Sequence, residues 1–161
     1  MSGHPDPRLN DLARTLHVTR SRVAMADSDH AGLIYYSRPL EWQEALTGQW
    51  LASIGRPVSS LIGAGFAFPV ATATATYHRA TGLDDDLRIE LRALRVGTTS
   101  FDLGTVCSND RSETCIELVV THVWSVIAHA AGENALPRPS PVPDWLREAL
   151  IGSDDGSPHG R

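Results

Sequence analysis

Two aspartates one residue apart, Asp27 and Asp29, stand with His30 and Gly32 just ahead of the aliphatic-aromatic run Leu33-Ile34-Tyr35-Tyr36. A carboxylate so placed can attack a carbonyl as a nucleophile, or act as the base that activates water. An imidazole beside it can orient a substrate or tune the acid, although a loop histidine is more often incidental. Asp and Gly are equally ordinary turn and capping residues, and on its own this segment reads as a turn. Carboxylate and imidazole also suit a divalent cation. Three ligands so close in sequence rarely converge, and no second cluster appears, so neither a metal nor a cofactor is expected. Cys107 and Cys115 have neither metal-site spacing nor the number for a disulfide framework, and read as small apolar strand residues. They would face each other only if their strands form a hairpin turning near Asn109-Asp110.

The elements that must hold these residues follow from periodicity. Residues 17–25 alternate around Val18, Thr19, Val23 and Ala24, which predicts a first strand. Over residues 38–54, Trp42, Leu46, Trp50 and Ile54 recur at every fourth position, with Glu41, Gln43, Glu44 and Gln49 as polar flanks. That is a helix with Pro39 tolerated in its first turn, where the early amide has no intrahelical partner, and with Gly55-Arg56-Pro57 as its stop. Residues 68–78 place Ala71, Ala73, Ala75 and Tyr77 on one face and Thr72, Thr74, Thr76 and His78 on the other. Such a row of small side chains lets a thick neighbour approach. Residues 87–96 set apolar Leu87, Ile89 and Leu91 against Arg88, Glu90 and Arg92, predicting a strand with one wet face. Phe101, Leu103 and Thr105 continue a further strand, and residues 115–127 are apolar on both faces, as a central strand requires. A short helix over 143–150 ends the pattern. Four hairpin-spaced strands and one amphipathic helix give an α+β fold, an antiparallel sheet wrapped around a long central helix. His78 and His122 are expected as partnered structural residues, and Trp42 and Trp50 as helix core.

Composition narrows the function classes. The 161 residues carry 42% hydrophobic and 20% charged side chains, the usage of one soluble domain with a proper core. Residues 1–15 read as an N-terminal extension, 16–151 as the domain and 152–161 as a disordered tail. A net charge of -5 without a basic block excludes nucleic acid as the main partner. No apolar run approaches the ~20 residues of a membrane span, and the first residues lack a signal pattern, so a cytoplasmic location is expected.

The segments Asp27-Ser-Asp29-His-Ala-Gly32, Leu33-Ile-Tyr-Tyr36 and Leu40-Glu-Trp-Gln-Glu-Ala45, followed by Pro69-Val-Ala, Asp84-Asp-Asp86 and Val96-Gly-Thr-Thr-Ser-Phe101, occur in an informative order. In that order they resemble the 4-hydroxybenzoyl-CoA thioesterase family of the hotdog-fold superfamily, over residues 18–126, most of the folded chain. The resemblance implies an acyl-CoA thioesterase acting on an aromatic or medium-chain acyl group. Asp29 would be the catalytic carboxylate, as nucleophile or general base, and the Tyr36 backbone amide the oxyanion donor at a helix N-terminus. Asp27 would keep a turn role. Substrate contacts would fall on Gly32, His30, Tyr35, Thr98 and Thr99, and Phe66, Phe68, Tyr35, Tyr36 and Trp42 are candidates for an acyl pocket or for core. The resemblance further implies a homodimer or homotetramer, with sheets joined at their edges and the site at the subunit interface. Two departures stand out. Pro39 replaces an aromatic in the helix's first turn, and Gly97-Thr98-Thr99 replaces a basic turn that would meet CoA phosphates. Arg95, Arg92, Arg79 or Arg111 could substitute, or an acyl-carrier protein could deliver the thioester. A hotdog hydratase or dehydratase, and a hotdog module that binds acyl thioesters without turnover, are the competing functions.

Overall fold

The computed structural model describes residues 7–9, 13–127 and 136–152. Strand β1 (Arg14–Arg22) leads through a 3-10 turn at Met25–Asp27 to helix α1 (Arg38–Ser53) and a short helix α2 (Val58–Gly63). Then come β2 (Phe66–Ala67), β3 (Val70–Tyr77), β4 (Asp86–Val96), β5 (Ser100–Ser108), β6 (Thr114–Val123), β7 (Ser125–Val126), β8 (Arg138–Pro139) and helix α3 (Asp144–Ile151). Five strands make one antiparallel sheet in the order β1-β4-β5-β6-β3, and the two-residue strands form a small second sheet, β2-β7-β8.

The large sheet curls over α1. Alternation along β4 and β5 turns Leu87, Ile89, Leu91, Phe101, Leu103 and Cys107 toward Leu46, Trp50 and Leu51 of the helix, one continuous core. Trp42 packs at its margin, partly buried. Gln43, expected as a polar flank, is instead 3% exposed. Its Nε2 donates to the Leu103 carbonyl at 3.0 Å, and Thr47 Oγ1 donates to the Gln43 carbonyl at 2.7 Å, so the buried polar groups are partnered.

Several element boundaries depart from the expected ones for local reasons. The first strand lies three residues earlier than 17–25. Asp27 Oδ2 accepts the Ala24 amide at 2.9 Å and pulls 25–27 into a turn, while buried Val23 bonds the 84–85 backbone. The expected strand 68–78 starts late, after Pro69, which has no N–H for a ladder. Phe68 and Pro69 lie outside any strand, the strand proper starts at Val70 as β3, and the small sheet takes the two residues before, Phe66–Ala67. Helix α2 fills a stretch expected as loop. The expected wet face of β4 is also covered in part: Glu90 is buried and paired with Arg88 and Arg92, and Arg92 donates to the carbonyl of Leu9. Leu9, in the turn Pro7–Leu9, packs with Leu94, Val106 and Val119 over this face. So this part of the expected extension docks on the sheet, whereas residues 153–161 of the expected tail lie outside the described residues. Cys107 sits opposite Ile116 rather than Cys115, and both thiols are buried and free. Burial, with Cys115 beside it, pushes the Cys107 thiol up to about 12.

Strand β3 is one of the sheet's two edges, β1 being the other. Val70, Ala73 and Ala75 are exposed on its concave side, a bulge between Val70 and Thr72 having taken Ala71 off the expected face, because α1 leans on β1, β4, β5 and β6 and stops short of β3. A groove of about 510 Å³ remains between them, lined by Leu40, Glu44, Thr47, Phe68, Ala73 and His122 among others.

Candidate active site

The segment ahead of α1 is folded around the Asp29 side chain. Asp29 Oδ1 accepts the amides of Ala31 at 2.8 Å and Leu33 at 3.2 Å, while its own amide donates to the Leu33 carbonyl at 2.7 Å. One carboxylate oxygen is thereby fixed in direction. Oδ2 accepts no hydrogen bond among the described residues, and the residue is half-buried. Gly32 completes the turn at a φ of 75°, a conformation that costs other L-residues about 1–2 kcal/mol. A Cβ on Gly82 would lie 2.6 Å from the Gly32 carbonyl oxygen, whereas one on Gly32 would meet nothing within 4 Å.

Asp27 behaves as the turn residue it was expected to be. It caps Ala24 and pairs with Arg38 Nε at 3.3 Å, and Arg38 also bonds Glu41 and the Ala26 carbonyl. His30 is exposed and makes no hydrogen bond among the described residues. Asp27, Asp29 and His30 do not converge, and no group of three or more metal-ligating side chains occurs among the described residues.

At the helix start, the Tyr35 amide donates to the Asp27 carbonyl at 2.9 Å and the Arg38 amide to the Tyr35 carbonyl at 3.0 Å. Pro39 has no N–H, and the amides of Leu40 and Glu41 are taken by the Ser37 carbonyl. The Tyr36 and Ser37 amides are left without an acceptor among the described residues, at the positive end of the α1 dipole. The Tyr36 carbonyl accepts the Tyr77 hydroxyl at 2.5 Å. Tyr35 and Tyr36 are themselves exposed, Tyr36 by 82%.

The remaining candidates lie elsewhere. Thr98 and Thr99 occupy the β4–β5 turn, at the far end of an eleven-residue strand from the Asp29 side of the sheet. Their carbonyls accept the amides of Val142 and Trp124, and Arg147 of α3 bonds the Gly97 carbonyl. Arg95 is engaged by Asp102, Arg92 by Glu90 and Arg79 by Glu113. Of the acyl-pocket aromatics, Phe68 lines the groove; Phe66 stacks on Trp124 at 5.3 Å. His78 is tied to Glu117 at 2.8 Å, as a structural histidine. His122 was expected to be partnered likewise and is so only on one side. Its Nδ1 donates to the Phe68 carbonyl at 3.1 Å and its ring stacks on Phe101 at 5.2 Å, but Nε2 is buried without a partner. Burial holds this imidazole below its ordinary pKa, hence neutral, against the opposing pull of the Phe68 bond and Asp102.

A long helix wrapped by one curled antiparallel sheet, with a carboxylate turn feeding the helix's N-terminus, is the hotdog fold. The profile of the Thioesterase-like superfamily matches residues 23–150, and the chain belongs to that superfamily. It is 25% identical over 147 residues to the 1,4-dihydroxy-2-naphthoyl-CoA hydrolase of Thermosynechococcus vestitus, covering 91% of this chain and 93% of that protein. Among solved structures, a 1,4-dihydroxy-2-naphthoyl-CoA thioesterase from Synechocystis superposes with a TM-score of 0.75 at 20% identity, covering 88% of this chain and 98% of the other. A gentisyl-coenzyme A thioesterase gives 0.69 at 23% identity, with 81% and 99% covered.

Proposed function

We propose that this chain hydrolyses an aromatic acyl-CoA thioester to the free acid and CoA, with Asp29 as the reacting carboxylate and the Tyr36 amide as oxyanion donor. The observation that carries the reading is the division of labour at Asp29: two amides fix Oδ1, Oδ2 is unengaged, and unpartnered amides stand at the helix start a few residues on. Oδ2 either attacks the thioester carbonyl, expelling the CoA thiolate and leaving a mixed anhydride that water cleaves, or it takes a proton from the water that attacks. In both routes negative charge grows on the carbonyl oxygen, where a preset amide donor lowers the barrier. The names of the relatives favour an aryl acyl group, and the groove beginning at Leu40, one helical turn past Tyr36, has the size and apolar lining for one.

The functional unit is at least a dimer joined through β3. An edge strand with exposed alanines requires a cover, and Val70 at its start and Tyr36 beside it are exposed as well. Antiparallel pairing of two identical strands also swaps the ends of the two sheets. The 97–99 turn of the partner then comes to the side on which Asp29 lies, the arrangement in which Thr98 of the partner subunit and Thr99 of the partner subunit could meet the CoA.

Thiol release from benzoyl-, hydroxybenzoyl- and straight-chain acyl-CoAs tests the proposal. Asp29→Asn should lose activity by about 100-fold or more, in the range of a removed catalytic group, and Asp27→Asn far less. Turnover of no substrate, or an unimpaired Asp29→Asn, would overturn it. Delivery by an acyl-carrier protein is the second reading, favoured because Arg95, Arg92 and Arg79 are already held by carboxylates. It predicts faster turnover of the carrier-bound thioester than of the CoA ester.

A further inference from the structure

We infer that Tyr77 is a positioning residue for the oxyanion site, holding the turn that carries the Tyr36 and Ser37 amides. This rests on the reading of Asp29 and Tyr36 given above. Tyr77 is the last residue of β3, on the concave face, and its hydroxyl donates to the Tyr36 carbonyl across 41 residues of sequence at 2.5 Å. The peptide so gripped joins Tyr36 to Ser37, so its plane sets where the Ser37 N–H points, opposite to the bonded carbonyl. The preceding peptide, which carries the Tyr36 N–H, is held by one backbone bond, from the Arg38 amide to the Tyr35 carbonyl, and the peptide before it by the bond from the Tyr35 amide to the Asp27 carbonyl. The Tyr77 bond is the side-chain restraint on the turn's other peptide. Without it, that peptide is free to tilt, carrying the Ser37 N–H with it and loosening the Tyr36 Cα through which it joins the peptide of the Tyr36 N–H.

The chemistry of the group suits a fixed restraint. Burial raises the Tyr77 phenol above its ordinary value, with Cys107 contributing in the same sense, so the hydroxyl stays protonated and donates. A preorganised donor accelerates a reaction because it need not reorient as charge develops. Loosening the turn therefore lowers the rate of the chemical step more than it weakens substrate binding.

The test is Tyr77→Phe, which keeps the ring and removes only the hydroxyl, with Asp29→Asn as a parallel control. Two readouts are taken on each: kcat and KM for thiol release, and backbone amide exchange over residues 35–38. Tyr77→Phe is expected to lower kcat about tenfold, less than loss of a direct oxyanion donor, with KM within about twofold. It should also speed exchange at the hydrogen-bonded 35 and 38 amides that flank the turn by about fivefold or more, while exchange in β4 and β5 is unchanged. A wild-type kcat, or unchanged exchange at 35 and 38, overturns the inference. So does a rise in KM with kcat intact. The parent reading fails separately: if Asp29→Asn turns over normally while Tyr77→Phe shows both changes, the Asp29 assignment falls and the role of Tyr77 stands. Tyr77→Leu, which also removes the ring, should reproduce both changes, and a Tyr77→Leu protein with wild-type kcat is a further refutation.

Discussion

Gly82→Ala probes how tightly the reacting carboxylate is placed from outside its own turn. An added Cβ would sit 2.6 Å from the Gly32 carbonyl oxygen, a backbone atom that cannot rotate aside. Ordinary contact requires more than 3.4 Å, so the two segments must part by roughly 0.5–1 Å, a strain typical of overpacking. That oxygen also accepts the Leu83 amide at 2.9 Å, and Leu33 bridges to Gly82, so the opening pulls on residues 32–33. Leu33 supplies one of the two amides on Asp29 Oδ1. Overpacking of this kind costs about 1–3 kcal/mol, or about 4–8 °C in Tm for 2 kcal/mol at this chain length. A displacement near 1 Å at the reacting group costs up to about 100-fold in rate. Gly32→Ala supplies the contrast, since its Cβ meets nothing and only the backbone penalty of about 1–2 kcal/mol applies. Thermal unfolding and steady-state thiol release measured on both variants would decide. If Gly82→Ala retains wild-type kcat while Gly32→Ala does not, the coupling through the Gly32 carbonyl is wrong.

Three further outcomes follow from the same structure. His122 has a folded pKa depressed below 6.5, so its contribution to stability is complete above pH 6.5 and is lost as pH falls from there toward the depressed value. His122→Phe should flatten urea-derived stability between about pH 6.5 and 5, and an unchanged slope would refute the assignment. For Asp102, burial pushes the acid up, but hydrogen bonds from Arg95 and Thr121 and the nearby guanidinium charges hold it below 3.8. Its stabilisation is present above that value and lost as pH falls further, so Asp102→Asn should be less acid-sensitive below pH 4 by the same titration. Ala75→Arg should leave the monomer folded, since Ala75 is exposed, but block association through β3, giving a halved or smaller mass by light scattering; a wild-type mass would place the interface elsewhere.

The helix, the sheet and their pairing were legible because Leu46 and Trp50, or Leu87, Ile89 and Leu91, repeat at the period of their element. The late start of the strand expected over 68–78 was half legible: Pro69 was in view, but only the second sheet explains where Phe66 and Ala67 go. Gln43 could not be read as buried, since its burial depends on a carbonyl sixty residues away that its amide reaches. The covering of Glu90 was hidden for a similar reason, because it needs Leu9 to fold back onto the sheet. At the candidate site, the position of Asp29 came from the motif, whereas the fixing of one oxygen by Ala31 and Leu33 is a property of the turn's hydrogen bonds. Tyr77 was visible only as one member of a face. The signal that distinguishes it, an aromatic hydroxyl at the end of a row of alanines, has meaning only once the helix start is known to lie within reach.

The location of Tyr77 gives the open edge a kinetic meaning. The strand that ends in this tyrosine is the one left uncovered, so whatever quietens β3 also quietens its grip on the helix start. An enzyme assembled through that edge would then lose rate per active site on dilution, before any loss of helix or sheet, and regain it on concentration. Specific activity would depend on how much enzyme is in the cuvette.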